Sequence, residues 1–252
     1  MNFVEKSIKK IEENLSFSNK PGVIIASPSN YPPYKYHWIR DSALVMRVFI
    51  NEYKQKNHTQ SLFHILNYIE SEYQIQNLNT KSGLGEPKIK IDLTPFNDPW
   101  GRPQNDGPAL RGINMIKIFN LLINNYSSTI ENLVVKIIEK DIKYILNNYN
   151  KPSFDLWEEN LGWHYYTRLV QLKFIKDFIE NKEKLSKYFK IDIDVKSIYK
   201  ELLDNIKHHE SPDKIISSFD SNGNISKCDD SANILALCHI EFDEEILNEI
   251  DY

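Results

Sequence analysis

The residue types best suited to chemistry are the three carboxylates of Phe154-Asp155-Leu156-Trp157-Glu158-Glu159, which fall within five positions and are interleaved with a leucine and an indole. Burying an acid beside an indole disfavours its ionised form and raises its pKa, and a second carboxylate nearby pushes the same way. An acid that keeps its proton near neutral pH can protonate a leaving-group oxygen, as glycoside hydrolysis requires. The plainer reading of the hexapeptide is a solvated acidic loop at a helix start, where carboxylates offset the helix dipole.

Two further stretches have the composition of a binding surface. From Pro21 to Ile39 the chain is rich in Pro, Gly, Ser and Tyr, and from Leu78 to Gly107 it carries no helical period. A compact domain seldom keeps so long a loop unless it binds or catalyses. These loops hold Tyr31, Tyr34, Tyr36, Trp38, Phe96 and Trp100, with Arg40, Asp41, Glu86, Lys88, Arg102 and Asp106 among them. Aromatic faces beside fixed charges suit a sugar: rings cover its C–H face and charged groups fork onto its hydroxyls. For any one of these aromatics, core packing is the plainer role.

The elements that must position these residues are helices. Val4, Ile8, Ile11 and Leu15 recur at four, three and four residues, one face of a helix. Further helices are expected from Asp41-Ser42 through Phe49, from Leu62 through Tyr73, and after Pro108 through Phe119. A capping box, Ser128 with Glu131, opens a fifth that runs to Ile145. Leu169 to Ile179, Val195 to Ile206, and a segment from Asp230-Ser231 through Leu237 complete the set. No alternating run competes as a core strand, so the expected class is all-α.

Composition narrows the function classes. A net charge of -4 over 252 residues gives no electrostatic reason to expect nucleic acid as a partner. No apolar run spans a membrane, and the N-terminus lacks the apolar core of a signal peptide, so the expectation is a cytoplasmic chain. Cys228 and Cys238 are too few for a disulfide framework and read as small buried residues. His208-His209-Glu210 is a poor metal cluster, because adjacent helical histidines point about 100° apart. Gly83-Leu84-Gly85 lacks the following helix of a phosphate loop. No metal and no cofactor is expected.

At the level of motifs the chain resembles the glucoamylase family of inverting exo-glucosidases (glycoside hydrolase family 15). Pro21 to Val45 (PGVIIASPSNYPPYKYHWIRDSALV) resembles its first signature, and Gly83 to Leu110 (GLGEPKIKIDLTPFNDPWGRPQNDGPAL) its second. Phe154 to Thr167 (FDLWEENLGWHYYT) is similar to the segment bearing the general acid, and SKCDDSANILALCHIEFD is a weaker fourth match, in the same order. The resemblance implies Glu158 as the acid, with Asp155 and Glu159 as neighbours that shape its ionisation and bind sugar hydroxyls. It implies Arg40 and Asp41 as the grip on the terminal glucose, and Tyr34, Trp38, Trp100, Arg102, Leu156 and Trp157 as pocket residues. The implied fold is an (α/α)6 barrel. The implied reaction is release of glucose from the non-reducing ends of α-1,4-glucans or maltooligosaccharides, with no cofactor.

Departures from the pattern carry expectations of their own. Asn160-Leu161-Gly162-Trp163-His164 places bulk where the family has small residues, which would narrow the site for the leaving sugar. His37 and Ile39 replace small hydroxylated residues beside Trp38, which would alter the entrance. An inverting reaction also needs a second carboxylate, and the family's base lies beyond Tyr252. Asp243, Glu244, Glu245, Glu249 and Asp251 read as a solvated acidic tail. About eight helices stand where a closed barrel needs twelve, so residues 1–252 are expected to be one glucoamylase-like domain truncated at its C-terminal end, the first half to two-thirds of the toroid. Its expected partners are an α-glucan and a separate C-terminal half, or a second copy through exposed barrel helices. The alternative is a non-catalytic glucan-binding or regulatory module.

Overall fold

Helical periodicity becomes helix where it was expected, and strands appear where none was. The computed structural model describes residues 3–15, 17–123 and 126–250. These divide into two compact units, Met1–Asp98 with Asn114–Lys140, and Pro99–Ile113 with Asp141–Tyr252. Among the described residues no helix is long and apolar enough to cross a membrane.

The first unit holds α1 (Phe3–Leu15), β1 (Tyr36–Trp38), α2 (Ile39–Lys56), α3 (Thr59–Ile75), a 3-10 turn (Gly83–Gly85) and β2 (Lys88–Lys90). Ile8, Ile11 and Leu15 of α1 are half-buried along one face; the Val4 side chain lies outside the described residues. α2 starts two residues before the expected Asp41, because Trp38 is still extended and the chain turns helical at Ile39. α2 packs on α3, and Ala43, Met46, Phe49 and Ile50 of the one and Ile65, Tyr68 and Ile69 of the other are buried. Asn114 donates from Nδ2 to the Ala43 carbonyl at 2.6 Å and accepts from Arg47 Nε at 3.3 Å.

α4 (Asp106–Leu122) and α5 (Ser128–Asn148) contribute residues to both units. The expected cap of α5 moves by one residue: the Ile130 N–H donates to Ser127 Oγ and the Glu131 N–H to the Ser127 carbonyl, so Ser127 rather than Ser128 opens the helix.

The second unit holds α6 (Tyr165–Leu185), α7 (Val195–Lys207), α8 (Ser231–His239) and α9 (Glu244–Glu249), together with β3 (Ser153–Phe154), β4 (Leu161–His164), β5 (Glu210–Ser211), β6 (Lys214–Asp220) and β7 (Ile225–Cys228). The strands pair antiparallel in the order β3-β4-β6-β5, and β7 also pairs with β6. This sheet corrects the expectation that no stretch forms a core strand. β6 reads Lys-Ile-Ile-Ser-Ser-Phe-Asp, so its buried positions include serines and no apolar alternation announces it. The serines are satisfied: Ser218 Oγ–H donates to His164 Nδ1 at 2.8 Å, because His164 Nε2–H is committed to the Ser153 carbonyl.

Two smaller readings also change. The acidic C-terminal stretch is exposed at Glu244, Glu245 and Glu249, as expected, but Asp243 is half-buried. Asp243 caps α9, accepting from the Ile246 N–H, and bonds Lys173 Nζ and Lys176 Nζ of α6, while Ile246 and Ile250 are buried. The cysteines are free but not buried: Cys228 is half-buried and Cys238 exposed.

Candidate functional site

In the second unit the acidic hexapeptide is the turn of a β-hairpin, which replaces the helix-start alternative. β3 and β4 pair with Ser153 opposite Gly162 and Phe154 opposite Leu161. The six residues from Asp155 to Asn160 must therefore reverse the chain. Asp155 makes this possible. Its N–H donates to the Asn160 carbonyl at 3.1 Å, and its carbonyl accepts from the Glu158 N–H at 3.0 Å. Its Oδ1 accepts from the N–H groups of Glu159, at 2.7 Å, and Asn160, at 3.0 Å. A buried carboxylate that satisfies two turn amides is a structural pivot. Glu158 occupies the left-handed region, φ 66°, where a side chain with a Cβ is disfavoured. Strain of this kind gathers at functional positions.

The acid does not stand beside a buried indole. Trp157 is 41 % exposed, and its Nε1–H donates to Asp230 Oδ1 at 2.8 Å. Leu156 and Glu158 are half-buried, and Glu159 is exposed, 3.3 Å from Lys227 Nζ. What meets Glu158 is Gln104, whose Nε2–H donates to Glu158 Oε1 at 2.9 Å and to the Gly101 carbonyl at 3.0 Å.

Gln104 carries no signal of its own in the sequence beyond its place in the GRPQ stretch that also contains Arg102. That stretch is bound to the hairpin. The Phe154 N–H donates to the Pro103 carbonyl at 2.8 Å, and the Asn105 N–H to Ser153 Oγ at 3.0 Å. Gly101 lies under the Phe154 ring, where an added Cβ would meet Cδ1 at 2.7 Å. Trp100, exposed, and Arg102, half-buried, are thereby on the segment that lies against the acid turn.

The residues after the acid add less bulk than expected. His164 is buried and bonded at both ring nitrogens within the sheet, so it faces the fold rather than a sugar. Leu161 is exposed and Trp163 half-buried. Burial holds the His164 imidazole below the usual histidine range. His209, the member of the dismissed metal cluster, is likewise a core residue. It donates from Nδ1 to the Ile216 carbonyl at 2.7 Å and accepts from Arg168 Nη1 at 2.8 Å.

In the first unit β1 pairs with β2 in the register Trp38 opposite Lys88. The Lys88 ammonium lies 4.7 Å from the Tyr36 ring centre, 4.4 Å from Trp38 and 4.3 Å from Phe96. Three ring faces offset part of the cost of burying that cation. Tyr34 is exposed at the edge of this cluster, 5.9 Å from Trp38 between centroids. Arg40 is buried in the first turn of α2, and its Nε lies 3.9 Å from Oδ2 of the half-buried Asp41. These residues gather an indole, phenols, two cations and a carboxylate on neighbouring elements.

His37 and Ile39 do not alter an entrance. His37 is fully buried, accepts the Ile24 N–H at Nδ1 at 3.0 Å, and donates from Nε2 to Glu72 Oε1 at 2.8 Å. Ile39 belongs to a buried cluster with Ile75 and Ile89.

With this geometry in view, comparison with known proteins is decisive. Residues 4–235 match the glycosyl hydrolases family 15. The chain belongs to this family. It is 41 % identical to glucoamylase-1 of Arthroderma benhamiae over 165 residues, 62 % of this chain and 27 % of that protein. It is 38 % identical over 192 residues to the intracellular sporulation-specific glucoamylase of Saccharomyces cerevisiae, covering 66 % of this chain and 34 % of that protein. The chain therefore spans about a third or less of these family members. Among solved structures, the family 15 glucoamylase of Hypocrea jecorina superposes with a TM-score of 0.79 at 31 % identity, covering 87 % of this chain and 40 % of that one. The Hormoconis resinae glucoamylase gives a TM-score of 0.79 at 28 % identity, with coverage of 94 % and 43 %. The fold class is all-α, part of the family's (α/α)6 toroid.

Proposed function

We propose that this family 15 chain carries the general-acid part of a glucoamylase-type glucosidase acting on α-1,4-glucans or maltooligosaccharides. Glu158 protonates the glycosidic oxygen. The observation that carries this reading is the Glu158 carboxyl itself: it is half-buried in a left-handed turn, with one oxygen held by Gln104. Glu159 and Trp157 flank the leaving sugar, and Arg40 and Asp41 hold hydroxyls of the terminal glucose, as the family resemblance implies. Trp38 and Tyr34 offer ring faces to it, and Trp100, Arg102 and Leu156 line the pocket. Asp155 acts through the turn, since its Oδ1 already serves two amides.

Inversion needs a second carboxylate roughly 6.5–9.5 Å from the acid, with a water between it and the sugar. The family resemblance puts that base beyond Tyr252, and the chain matches only 27–34 % of the relatives' length; in this reading the base is carried by polypeptide outside these 252 residues. The 252 residues are then part of one catalytic domain. The test is glucose release from maltose and maltotriose by the 252-residue chain, alone and mixed with the remaining segment of a family member, each with wild type and Glu158→Gln. No release is expected from the chain alone. In the mixture, Glu158→Gln should lower the rate by at least about 10²-fold, the smaller end of general-acid catalysis. A loss under about tenfold moves the acid elsewhere. Saturable maltotriose binding without release in any mixture, unchanged by Glu158→Gln, favours the non-catalytic glucan-binding module instead.

A further inference from the structure

Glu158 sits between two side chains that are both held from outside its turn. On one side the Trp157 Nε1–H reaches Asp230 Oδ1 at 2.8 Å. On the other, Lys227 Nζ lies 3.3 Å from Glu159 Oε2 and 2.5 Å from Asp230 Oδ2. One carboxylate therefore gathers an indole and an ammonium, and its Oδ1 also accepts the Ala232 N–H at 2.7 Å where α8 begins. The Asp230 N–H donates to Ser217 Oγ at 3.0 Å, which fixes it to β6. Burial alone would raise the Asp230 carboxyl, but the bonds from Lys227, Ala232 and Trp157 hold it below the usual carboxylate range. These groups wall an open depression of 410 Å³ beside the acid turn, together with Asp229 and Ser231.

A turn that keeps Glu158 at positive φ needs support from beyond its own hydrogen bonds. Asp155 pins its base from within. We propose that Asp230, with Lys227, is the positioning residue that pins its crown: by fixing Trp157 and Glu159 it holds the Glu158 carboxyl where Gln104 meets it. The catalytic consequence rests on reading Glu158 as the general acid. The tether itself does not.

The test uses the 252-residue chain labelled with 15N-tryptophan. Its four tryptophans give four indole N–H resonances, and Trp157→Phe assigns the one that matters. Asp230→Ala is expected to move the Trp157 resonance to the position and fast solvent exchange of a free indole while the other three stay. Asp230→Asn keeps an acceptor and is expected to restore it. Because Asp230→Ala also removes the cap of α8, Lys227→Met is measured as a second variant, and it too should shift the Trp157 signal. A folded chain in which the Trp157 signal is unmoved by both changes overturns the proposal.

In a mixture that releases glucose from maltotriose, Asp230→Ala should lower kcat by about 10–100-fold, as displacement of an acid by about 1 Å does, with KM changed less than about threefold. Asp230→Asn should recover most of it. A rise in KM at unchanged kcat overturns the positioning role. If no mixture releases glucose the acid reading fails, and the indole resonances alone decide whether the tether exists.

Discussion

Asp141→Asn is the substitution whose cost the structure fixes best. Arg111 of α4 and Asp141 of α5 form a two-pronged ion pair, Nε to Oδ2 at 2.8 Å and Nη2 to Oδ1 at 2.6 Å. The side chains are 1 % and 0 % exposed. Asparagine keeps the shape and one acceptor but removes the charge that Asp141 sets against the buried guanidinium. Breaking such a pair from one side costs about 3–5 kcal/mol, and the retained acceptor places this change near about 3. For a chain of this size that lowers Tm by roughly 6–12 °C. Scanning calorimetry and urea unfolding measure it. Arg111→Met with Asp141→Leu removes both charges and should return most of the stability, because the pair also carries a desolvation cost. The Tyr144 hydroxyl, pushed up to about 12 by burial and then by the Asp141 charge, should titrate lower in the Asn variant, which phenolate absorbance follows. A Tm drop below about 2 °C in Asp141→Asn would mean that water reaches the guanidinium. A double variant no more stable than the single would mean that shape, not charge, holds these helices.

Three further outcomes are expected. His209 is held neutral, its pKa lowered to about 3 by burial and then by the Arg168 guanidinium. The unfolded chain takes up a proton near pH 6.5 that the folded chain refuses, so this stability is complete above about 6.5 and is lost as pH falls toward 3. Between pH 7 and 5 the loss is about 2 kcal/mol; urea unfolding of His209→Gln should lack it, and an identical pH slope would refute the assignment. In Gly162→Ala the new Cβ would lie 2.0 Å from the Phe219 carbonyl oxygen. β4 must then part from β6 at a cost of at least about 1–3 kcal/mol, and a variant as stable as wild type in urea would show that the register is different. Asp41→Asn removes a charged acceptor worth about 1.5–3 kcal/mol, so maltotriose affinity by calorimetry should fall by roughly 10–150-fold. Unchanged affinity takes the terminal glucose away from Asp41.

The parts of this chain legible in its sequence are those whose signal is local. α1, α3 and α7 announce themselves by apolar spacing, whereas the Asp194 carboxylate that caps α7, accepting from Lys196 and Ser197, shows only in the structure. The acid turn is half legible. Its carboxylates were visible, but the Asp155 bonds that shape it require knowing that the segment is a hairpin. Gln104 and Asp230 meet the turn from 54 and 73 residues away in sequence, and no spacing rule reaches that far. β6 escaped because its interior is filled by serines whose partners, His164 and Asp230, lie on other elements.

One missed strand accounts for the error beside Trp38. Side chains along a strand alternate between faces. Once Tyr36–Trp38 is known to pair with Lys88–Lys90, Tyr36 and Trp38 must share a face and His37 must take the other. The first pair then meets Lys88, and His37 meets Glu72 in the core. A hydroxylated residue replaced by histidine at such a position changes what lies behind the aromatic wall, not what enters in front of it. His37→Thr should therefore loosen the contact with α3, at a cost of about 1–3 kcal/mol for the lost bond from His37 to the buried Glu72 carboxylate. If instead it alters maltotriose affinity with stability unchanged, the side chain faces the sugar and the strand assignment is wrong.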